Sequence, residues 1–147
     1  MFFCGCSSSP KQTGPRKSSN WAYAPDSVSI HPLSRIRISE DKTSATAVVH
    51  VEFKDGDDFA CRGLGDLFIK IASASGNSVI TKSFKLSDPD VNRELFDNVT
   101  RTYRIELPTS PMVKSIKVQA IFNDSDEEVL SSTKKTINNN SLTPAEP

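Results

Sequence analysis

The sequence lacks a surplus of either charge, a long apolar run and the usual metal-binding motifs. Lysine plus arginine and aspartate plus glutamate each number 18, so the formal net charge is zero and no overall field attracts nucleic acid. No segment approaches the roughly 18 apolar residues that a membrane-spanning helix needs. Cysteine occurs three times and histidine twice, without the HxH, HExxH or paired CxxC spacings typical of zinc sites. These absences argue against a nucleic-acid-binding protein, a zinc protein and a transmembrane helix.

The chain has enough apolar residues for one core. It contains 147 residues, of which 36% are hydrophobic, as expected for a single domain. Residues 6–25 are rich in serine, proline and positive charge, with no apolar periodicity before Trp21. Such a segment buries too little surface to offset its ordering entropy, and it indicates a flexible tether. Residues 139–147 are similarly polar and predict a disordered tail. The predicted domain therefore spans residues 26–138.

Apolar residues within this span recur with a period of two, which is typical of half-buried strands. The pattern is clearest in "TAVVHVEF", "DLFIKIA", "RTYRIEL" and "KSIKVQAIF", and is also present in "SVSIH", "RIRIS", "SVITKSF" and "EEVLSSTKKTI". Turn-forming stretches such as "KDGDD" and "NDSDEE" separate these segments. We therefore predict an all-β fold, a single antiparallel β-sandwich of about eight strands with an immunoglobulin-like or C2-like arrangement. The alternation assigns the following residues to the core: Ala47, Val49, Val51, Phe53, Leu67, Ile69, Ile71, Tyr103, Ile105, Leu107, Ile116, Val118, Ala120 and Phe122.

One segment departs from the strand pattern. In "DPDVNRELF" Asp88 is suited to cap a helix and Pro89 to occupy its first turn. Val91, Leu95 and Phe96 would then face the sheet. The sequence predicts one short helix near residues 89–96.

The first residues, "MFFCGCSSSP", resemble the end of a bacterial lipoprotein signal. "FCGC" is similar to the lipobox, with Phe3 at the apolar position, Gly5 at the small position and Cys6 as the invariant cysteine. The resemblance implies that residues 1–5 are a signal-peptide remnant and that Cys6 receives the lipid. Ser7 after the cysteine implies the outer membrane in many diderm bacteria. A gene start assigned too far downstream would explain the missing front of the signal; the alternative is a disordered N-terminus whose cysteines are incidental.

The segments "SVSIHPLSRIRIS", "GLGDLFIKIA" and "LFDNVTRTYRIEL" are similar to sandwich domains of uncharacterised bacterial lipoproteins. Together with the lipobox, this likeness implies a membrane-anchored lipoprotein of the bacterial cell envelope, in the outer membrane or on the periplasmic face. We expect a non-catalytic binding or structural module without a cofactor. Its partner would be a protein or a glycan, engaged by strand addition or by polar loops.

Acidic turns support an alternative function, a calcium-dependent ligand- or lipid-binding domain of C2-like shape. Calcium takes six to eight oxygen ligands, which loops between strands can supply. Aspartate is also a residue that turns prefer for purely local reasons, so both interpretations stay open. The calcium candidates are Asp55, Asp57, Asp58, Asp124 and Asp126, and a further acidic pair is Asp88 and Asp90.

Cys61 is the third cysteine, and it has no partner if Cys4 is removed and Cys6 is acylated. We expect a buried, inert thiol, because free cysteine is among the most buried residue types. A cysteine-dependent enzyme is the third hypothesis, and it requires a base beside Cys61. The candidate bases are His31 and His50, and neither lies in a recognisable motif. His50 falls on the outward face of its strand beside Glu52, where a solvated or cross-strand-paired side chain is expected.

Overall fold

The described residues of the computed structural model, 23–74 and 78–140, form eleven strands and one helix. In chain order these are β1 (Ser27–Ile30), β2 (Arg35–Ile38), β3 (Ala45–Lys54), β4 (Ala60–Cys61), β5 (Gly65–Ser73), β6 (Val79–Lys85), α1 (Pro89–Leu95), β7 (Phe96–Asp97), β8 (Thr102–Thr109), β9 (Ser115–Asp124), β10 (Val129–Ser131) and β11 (Lys135–Asn138).

The strands form two antiparallel sheets. The first sheet has the order β1-β3-β8-β7, with β2 and β4 also paired to β3. The second has the order β10-β9-β5-β6, with β11 also paired to β9. The fold is therefore the all-β sandwich with one short helix that the period-two pattern predicts.

The core lies between the two sheets and contains every residue that the alternation assigns to it. Its centre is aromatic. The Phe53 ring meets Phe122 at 4.7 Å and Tyr103 at 5.5 Å between centroids, both edge to face, which is the geometry that aromatic quadrupoles favour. Phe53 and Phe122 belong to opposite sheets, so this contact joins the two layers.

The helix α1 follows its sequence signals. The Asp88 side chain accepts hydrogen bonds from the backbone N–H groups of Asp90 and Val91, and a proline opens the first turn. Leu95 and Phe96 pack against the core as expected. The fully buried residue of the helix is Asn92, a polar side chain that the pattern does not single out.

The segment "EEVLSSTKKTI" forms two strands where the sequence predicts one. Ser131 pairs with Ile121 in β10, whereas Lys135 pairs with Val118 in β11, so one extra residue lies between the two ladders. Ser132 occupies this bulge, and its Oγ accepts a hydrogen bond from the backbone N–H of Ala120 at 2.9 Å. The side chain thus replaces a ladder partner, which is how a bulge interrupts a strand.

The folded domain includes at least one residue beyond the predicted boundary at residue 138. Asn139, assigned from sequence to the disordered tail, is buried. Its backbone N–H donates to the Lys114 carbonyl at 2.7 Å, and its amide donates to the Val113 carbonyl at 2.9 Å. At the other boundary, the N–H of Asp26 donates to the Lys54 carbonyl at 2.7 Å.

The registers place the connections at two opposite ends of the sandwich. The turns at residues 55–59 and 124–128 lie at the same end of the sandwich, which we call the aspartate end. β1 pairs with the end of β3 at Lys54, and β10 pairs with the end of β9 at Asn123. Because β1 contacts both β10 and β9, these two strand ends lie together. The β8–β9 connection lies at the opposite end, where β11 contacts β2. Since Asp26 pairs with Lys54, the chain enters the sandwich at the aspartate end.

Candidate functional site

The first acidic turn uses its leading aspartate to hold its own backbone. Oδ1 of Asp55 accepts hydrogen bonds from the N–H groups of Asp57 at 2.9 Å and Phe59 at 3.0 Å. Asp55 is a buried residue, and Asp58 adopts a positive φ of 69°. The Asp55 carboxylate therefore stabilises the backbone of its own turn.

The second acidic turn repeats this geometry. Oδ1 of Asp124 accepts from the N–H groups of Asp126 at 2.8 Å and Glu128 at 2.9 Å. Glu127, the counterpart of Asp58, has a φ of 63°. Both turns lie at the aspartate end, so the topology does bring the two predicted loops to the same end of the domain.

The two turns do not assemble a recognisable cation site. Across residues 23–74 and 78–140, no three histidine, cysteine, aspartate or glutamate side chains come together in a way that would hold a metal ion. Asp88 is engaged as the α1 cap, and Asp90 forms an exposed ion pair with Arg93 at 3.8 Å. The side chains of Asp55, Asp124, Asp88 and Asp90 thus have local structural partners.

Cys61 carries a free thiol, and the expectation that it is buried is wrong, because it is only partly buried. Burial, and secondarily the negative charge of Asp55, raise the pKa of the Cys61 thiol to about 11. A thiol with a raised pKa is almost entirely protonated near neutral pH and is a poor nucleophile. Beside it lies a cleft of about 500 Å³, which Tyr23, Phe59 and Arg101 also line.

His50 is not solvated, although it does lie on the outward face of β3. Only 4% of its surface is exposed, and its Nδ1 lies 2.8 Å from Oγ1 of Thr102 on the neighbouring strand β8. Of the two expectations for His50, the cross-strand pair is confirmed. Burial, followed by the charges of Arg104 and Arg35, lowers the pKa of His50.

The His50 contact continues into the turn before β8. Oγ1 of Thr102 lies 2.8 Å from Oγ1 of Thr100, and the Thr100 N–H donates to Oδ1 of Asp97 at 3.3 Å. Hydrogen bonds from the backbone N–H groups of Val99 and Thr100 hold the pKa of Asp97 below its usual value. The other histidine, His31, accepts the Leu33 N–H at Nδ1. The partners found for the two imidazoles are thus Thr102 and the Leu33 N–H, and neither is Cys61.

A buried polar network, which the sequence pattern does not reveal, joins α1 to both sheets. The Tyr103 hydroxyl accepts the Gly63 N–H and donates to Oδ1 of Asn92, each at 3.0 Å. The Asn92 amide donates to the carbonyls of Gly63 and Leu86, both at 2.8 Å. Burial raises the pKa of Tyr103, so the hydroxyl stays protonated and keeps its donor. Each buried group has its partner, which is the condition under which a buried network stabilises a fold.

Two glycines let β5 approach this network and β9. A Cβ on Gly63 would lie 2.9 Å from the Phe122 ring. Gly65 has a φ of 155°, and a Cβ there would lie 2.1 Å from the Asn123 carbonyl oxygen. The backbone at both glycines of "RGLGDL" therefore passes too close to neighbouring atoms for a side chain to fit. Glycine in or beside a strand often marks such a close approach.

One side of the sandwich is closed and the other is open. On the closed side, β1 contacts β10 and β9, and β11 contacts β2. On the open side, β6 is the edge strand of the second sheet. In the first sheet β7 pairs only with Thr102 and Tyr103, so the rest of β8 is an edge strand. The helix α1 contacts β6, β7 and β8 and covers only part of this side.

The edge of β6 carries unpaired backbone groups. Two hydrogen bonds, from the Leu86 N–H to the Gly65 carbonyl and from the Ser73 N–H to the Ser78 carbonyl, show which β6 residues direct their backbone groups towards β5. Because hydrogen-bonding direction alternates along an antiparallel strand, Val79, Thr81 and Ser83 point their N–H and C=O groups away from β5. Within the described chain no other strand pairs with this edge.

Two clefts follow one another along the open side. One, of about 250 Å³, lies between the two edges and is lined by residues including Ile80, Lys82 and Leu107. The next, of about 440 Å³, is lined by residues including Phe84, Leu95 and Ile105. Val79 and Ile80 are each more than half exposed. The second cleft is also lined by charged residues, among them Glu94 and Arg104. The open side thus offers one mainly apolar cleft and one of mixed character directly beside free backbone groups.

No helix among the described residues is long and apolar enough to cross a membrane. Cys6, the predicted lipid attachment site, lies outside the described residues, as do residues 1–5 and most of the predicted tether. Comparison of the chain with protein-family models, curated proteins and solved structures finds no match.

Proposed function

We propose that this protein is a lipid-anchored, non-catalytic binding module of the bacterial cell envelope that receives an extended segment of a partner protein at the β6 edge. The observation that carries the proposal is the row of unpaired backbone groups at Val79, Thr81 and Ser83. A strand added there would gain main-chain hydrogen bonds, and its alternate side chains would enter the adjacent clefts.

The two free edges differ in their capacity for strand addition. β8 contains Pro108, which has no N–H and protects the edge on which it lies. β6 contains no proline, but Lys82 stands on its core-facing side. An inward-facing lysine disfavours pairing between two copies of the same edge. A partner strand with a carboxylate opposite Lys82 would be preferred over a second copy of β6.

The lipid anchor is supported by the "FCGC" motif, in which Cys6 would carry the acyl groups. Several acyl chains together hold a protein stably on a bilayer. The composition of residues 6–25 predicts a flexible tether, and about 20 such residues have a root-mean-square span of about 25 Å. The tether would join the domain at the aspartate end, next to Lys54, and leave the β6 edge accessible.

The strand-addition proposal is tested by a Thr81→Pro variant with Thr81→Ala as its matched control. The Thr81 N–H points away from β5, so proline there removes an edge donor without removing a bond of the β5–β6 ladder. With a photo-crosslinking residue at position 83, we expect cells to yield a partner adduct from the Thr81→Ala protein and not from Thr81→Pro. A partner held by polar loops, such as a glycan, would be indifferent to the proline; equal adducts from both variants contradict the proposal.

Hydrogen exchange supplies a second test in the native complex. The N–H groups of Val79, Thr81 and Ser83 should exchange rapidly in the purified domain and slowly in the complex, because strand addition protects them. The anchor is tested separately by mass spectrometry of the native protein. Acylation at Cys6 supports the proposal, and an intact methionine terminus with an unmodified Cys6 contradicts it.

A further inference from the structure

A groove of about 400 Å³ crosses the outward face of the second sheet, near the end opposite the aspartate end. It runs across the strands, from Lys134 after β10, over Lys117 and Gln119 of β9 and Lys70 of β5, to Val79 of β6. Its floor and wall also include Ala72, Ser73 and Ala74.

The groove is hollow because of one small residue. Ala72 stands between Lys117 and Val79 in the cross-strand row of β9, β5 and β6. Neighbouring side chains in such a row normally fill the face between strands. With a methyl group at the centre, the long Lys117 side chain and the Val79 side chain border an empty space.

The groove concentrates positive charge that nothing nearby balances. Lys70 and Lys117 are diagonal cross-strand neighbours, since Lys70 pairs with Gln119 and Lys117 with Ala72. Like charges at such positions are unfavourable. None of the described residues that line the groove is acidic, and none of the ion pairs of the described chain involves Lys70, Lys117 or Lys134.

The protein as a whole has no net charge, so the positive charge of the groove results from the positions of its lysines in the fold. The acidic turns at 55–58 and 124–128 lie at the aspartate end, and Asp66, which pairs with Lys85, also lies towards that end of β5. Glu40 and Asp41, in the β2–β3 turn of the first sheet, lie at the groove's end of the sandwich. A local cluster of lysines attracts anions whatever the net charge of the protein is.

We infer that this groove binds a phosphate group. Three ammonium groups supply up to nine donors on flexible stems, which suits a compact anion with several oxygens. The described residues that line the groove include no aromatic ring, so they offer no stacking surface for a base or a sugar. The recognised element is the phosphate itself, carried by a soluble molecule or by a lipid headgroup. The site is independent of strand addition at β6, because its lysines lie on β5, on β9 and after β10.

The test is a titration of the ¹⁵N-labelled domain with sodium pyrophosphate at constant ionic strength. We expect saturable shifts of the amide signals of Lys70, Ala72, Lys117 and Gln119. Each loss of a charge-assisted hydrogen bond in Lys117→Gln or Lys134→Gln should weaken binding about tenfold. Lys85→Gln removes a lysine from the outward face of the same sheet, opposite Asp66 and away from the groove, and should bind like the unaltered protein.

A second variant separates a shaped site from general charge attraction. Ala72→Leu fills the hollow without changing any charge, and it should abolish the saturable shifts. Vesicles of phosphatidylcholine with and without phosphatidic acid distinguish the sources. Binding to pyrophosphate supports a soluble ligand, and charge-dependent binding to phosphatidic acid alone supports a headgroup. The inference is overturned if neither binds, or if either Ala72→Leu or Lys117→Gln leaves binding unchanged.

Discussion

Asp55 and Asp124 hold the same position in two hairpin turns of matching geometry at one end of the sandwich. Each carboxylate accepts the backbone N–H groups of the second and fourth residues after it. Asp124→Ala should therefore lower the free energy of unfolding by about 1 kcal/mol, the usual cost of losing such a cap. Asp126→Ala is the control and should change it by less than about 0.5 kcal/mol. Urea unfolding compares the two, and equal losses would mean that Asp124 does not lock its turn.

Calcium should leave the unfolding midpoint of the unaltered protein in place, because Oδ1 of Asp55 and Oδ1 of Asp124 are engaged by turn amides. A site saturated at 100 times its dissociation constant would add about 2.7 kcal/mol. Thermal unfolding with calcium chloride and with a chelator measures the difference. A gain of that size, lost in Asp124→Ala, would revive the C2-like alternative.

The Tyr103 hydroxyl links Gly63 to Asn92 inside the domain. Tyr103→Phe would leave the Gly63 N–H and the Asn92 carbonyl oxygen without this partner, and should cost about 2 kcal/mol. Asn92→Ala should cost at least as much, since it frees the carbonyls of Gly63 and Leu86. Because the two residues share bonds, the double variant should lose less than the sum of the single variants. Asn98→Ala, which removes an exposed hydrogen bond to Arg62, is the control and should cost less than about 0.5 kcal/mol.

Stability should fall as the pH drops below about 6.5, because His50 is buried and flanked by Arg104 and Arg35. These surroundings lower the pKa of His50, so the unfolded chain binds the proton more readily than the folded one. Neutral His50 contributes fully to the free energy of unfolding when the pH is above the pKa of His50 in the unfolded chain. This contribution is lost as the pH falls towards the lower pKa of His50 in the folded protein. Urea unfolding from about pH 7.5 to about 5 should show this slope, and His50→Gln should flatten it. A protein that becomes more stable over that fall in pH would contradict the assignment.

Cys61 should alkylate slowly, because a pKa of about 11 leaves about one thiolate in a thousand at pH 8. The rate of reaction with iodoacetamide should rise about tenfold per pH unit between pH 8 and pH 10. Protein unfolded in urea, where the thiol approaches its usual pKa, provides the reference. A rate in the folded state that levels off near pH 8.5 would contradict the raised pKa, and one that levels off below about pH 7 would show an activated thiolate and would reopen the enzyme hypothesis.

The sequence predicts the fold class and the core well, for a local reason. Val51, Ile105 and Val118 alternate with polar neighbours, and a period of two defines which side of a strand faces inward whatever its partner is. The capped start of α1 is also local, since Asp88 bonds to amides within its own turn. The bulge at Ser132 escaped prediction because its partner, Ala120, lies on another strand. The buried state of His50 escaped for a similar reason: Thr102 and Arg104 approach it only when β8 pairs with β3.

Alternation and turn residues by themselves determined that this chain forms paired sheets, which side chains enter the core and where the hairpins reverse. These properties depend on neighbours within a few residues along the chain. The tertiary structure alone decided that β6 ends a sheet with its amides unpaired, that two acidic turns meet at one end and that three lysines surround Ala72. Those relationships join residues distant in sequence, and strand order and register bring them together.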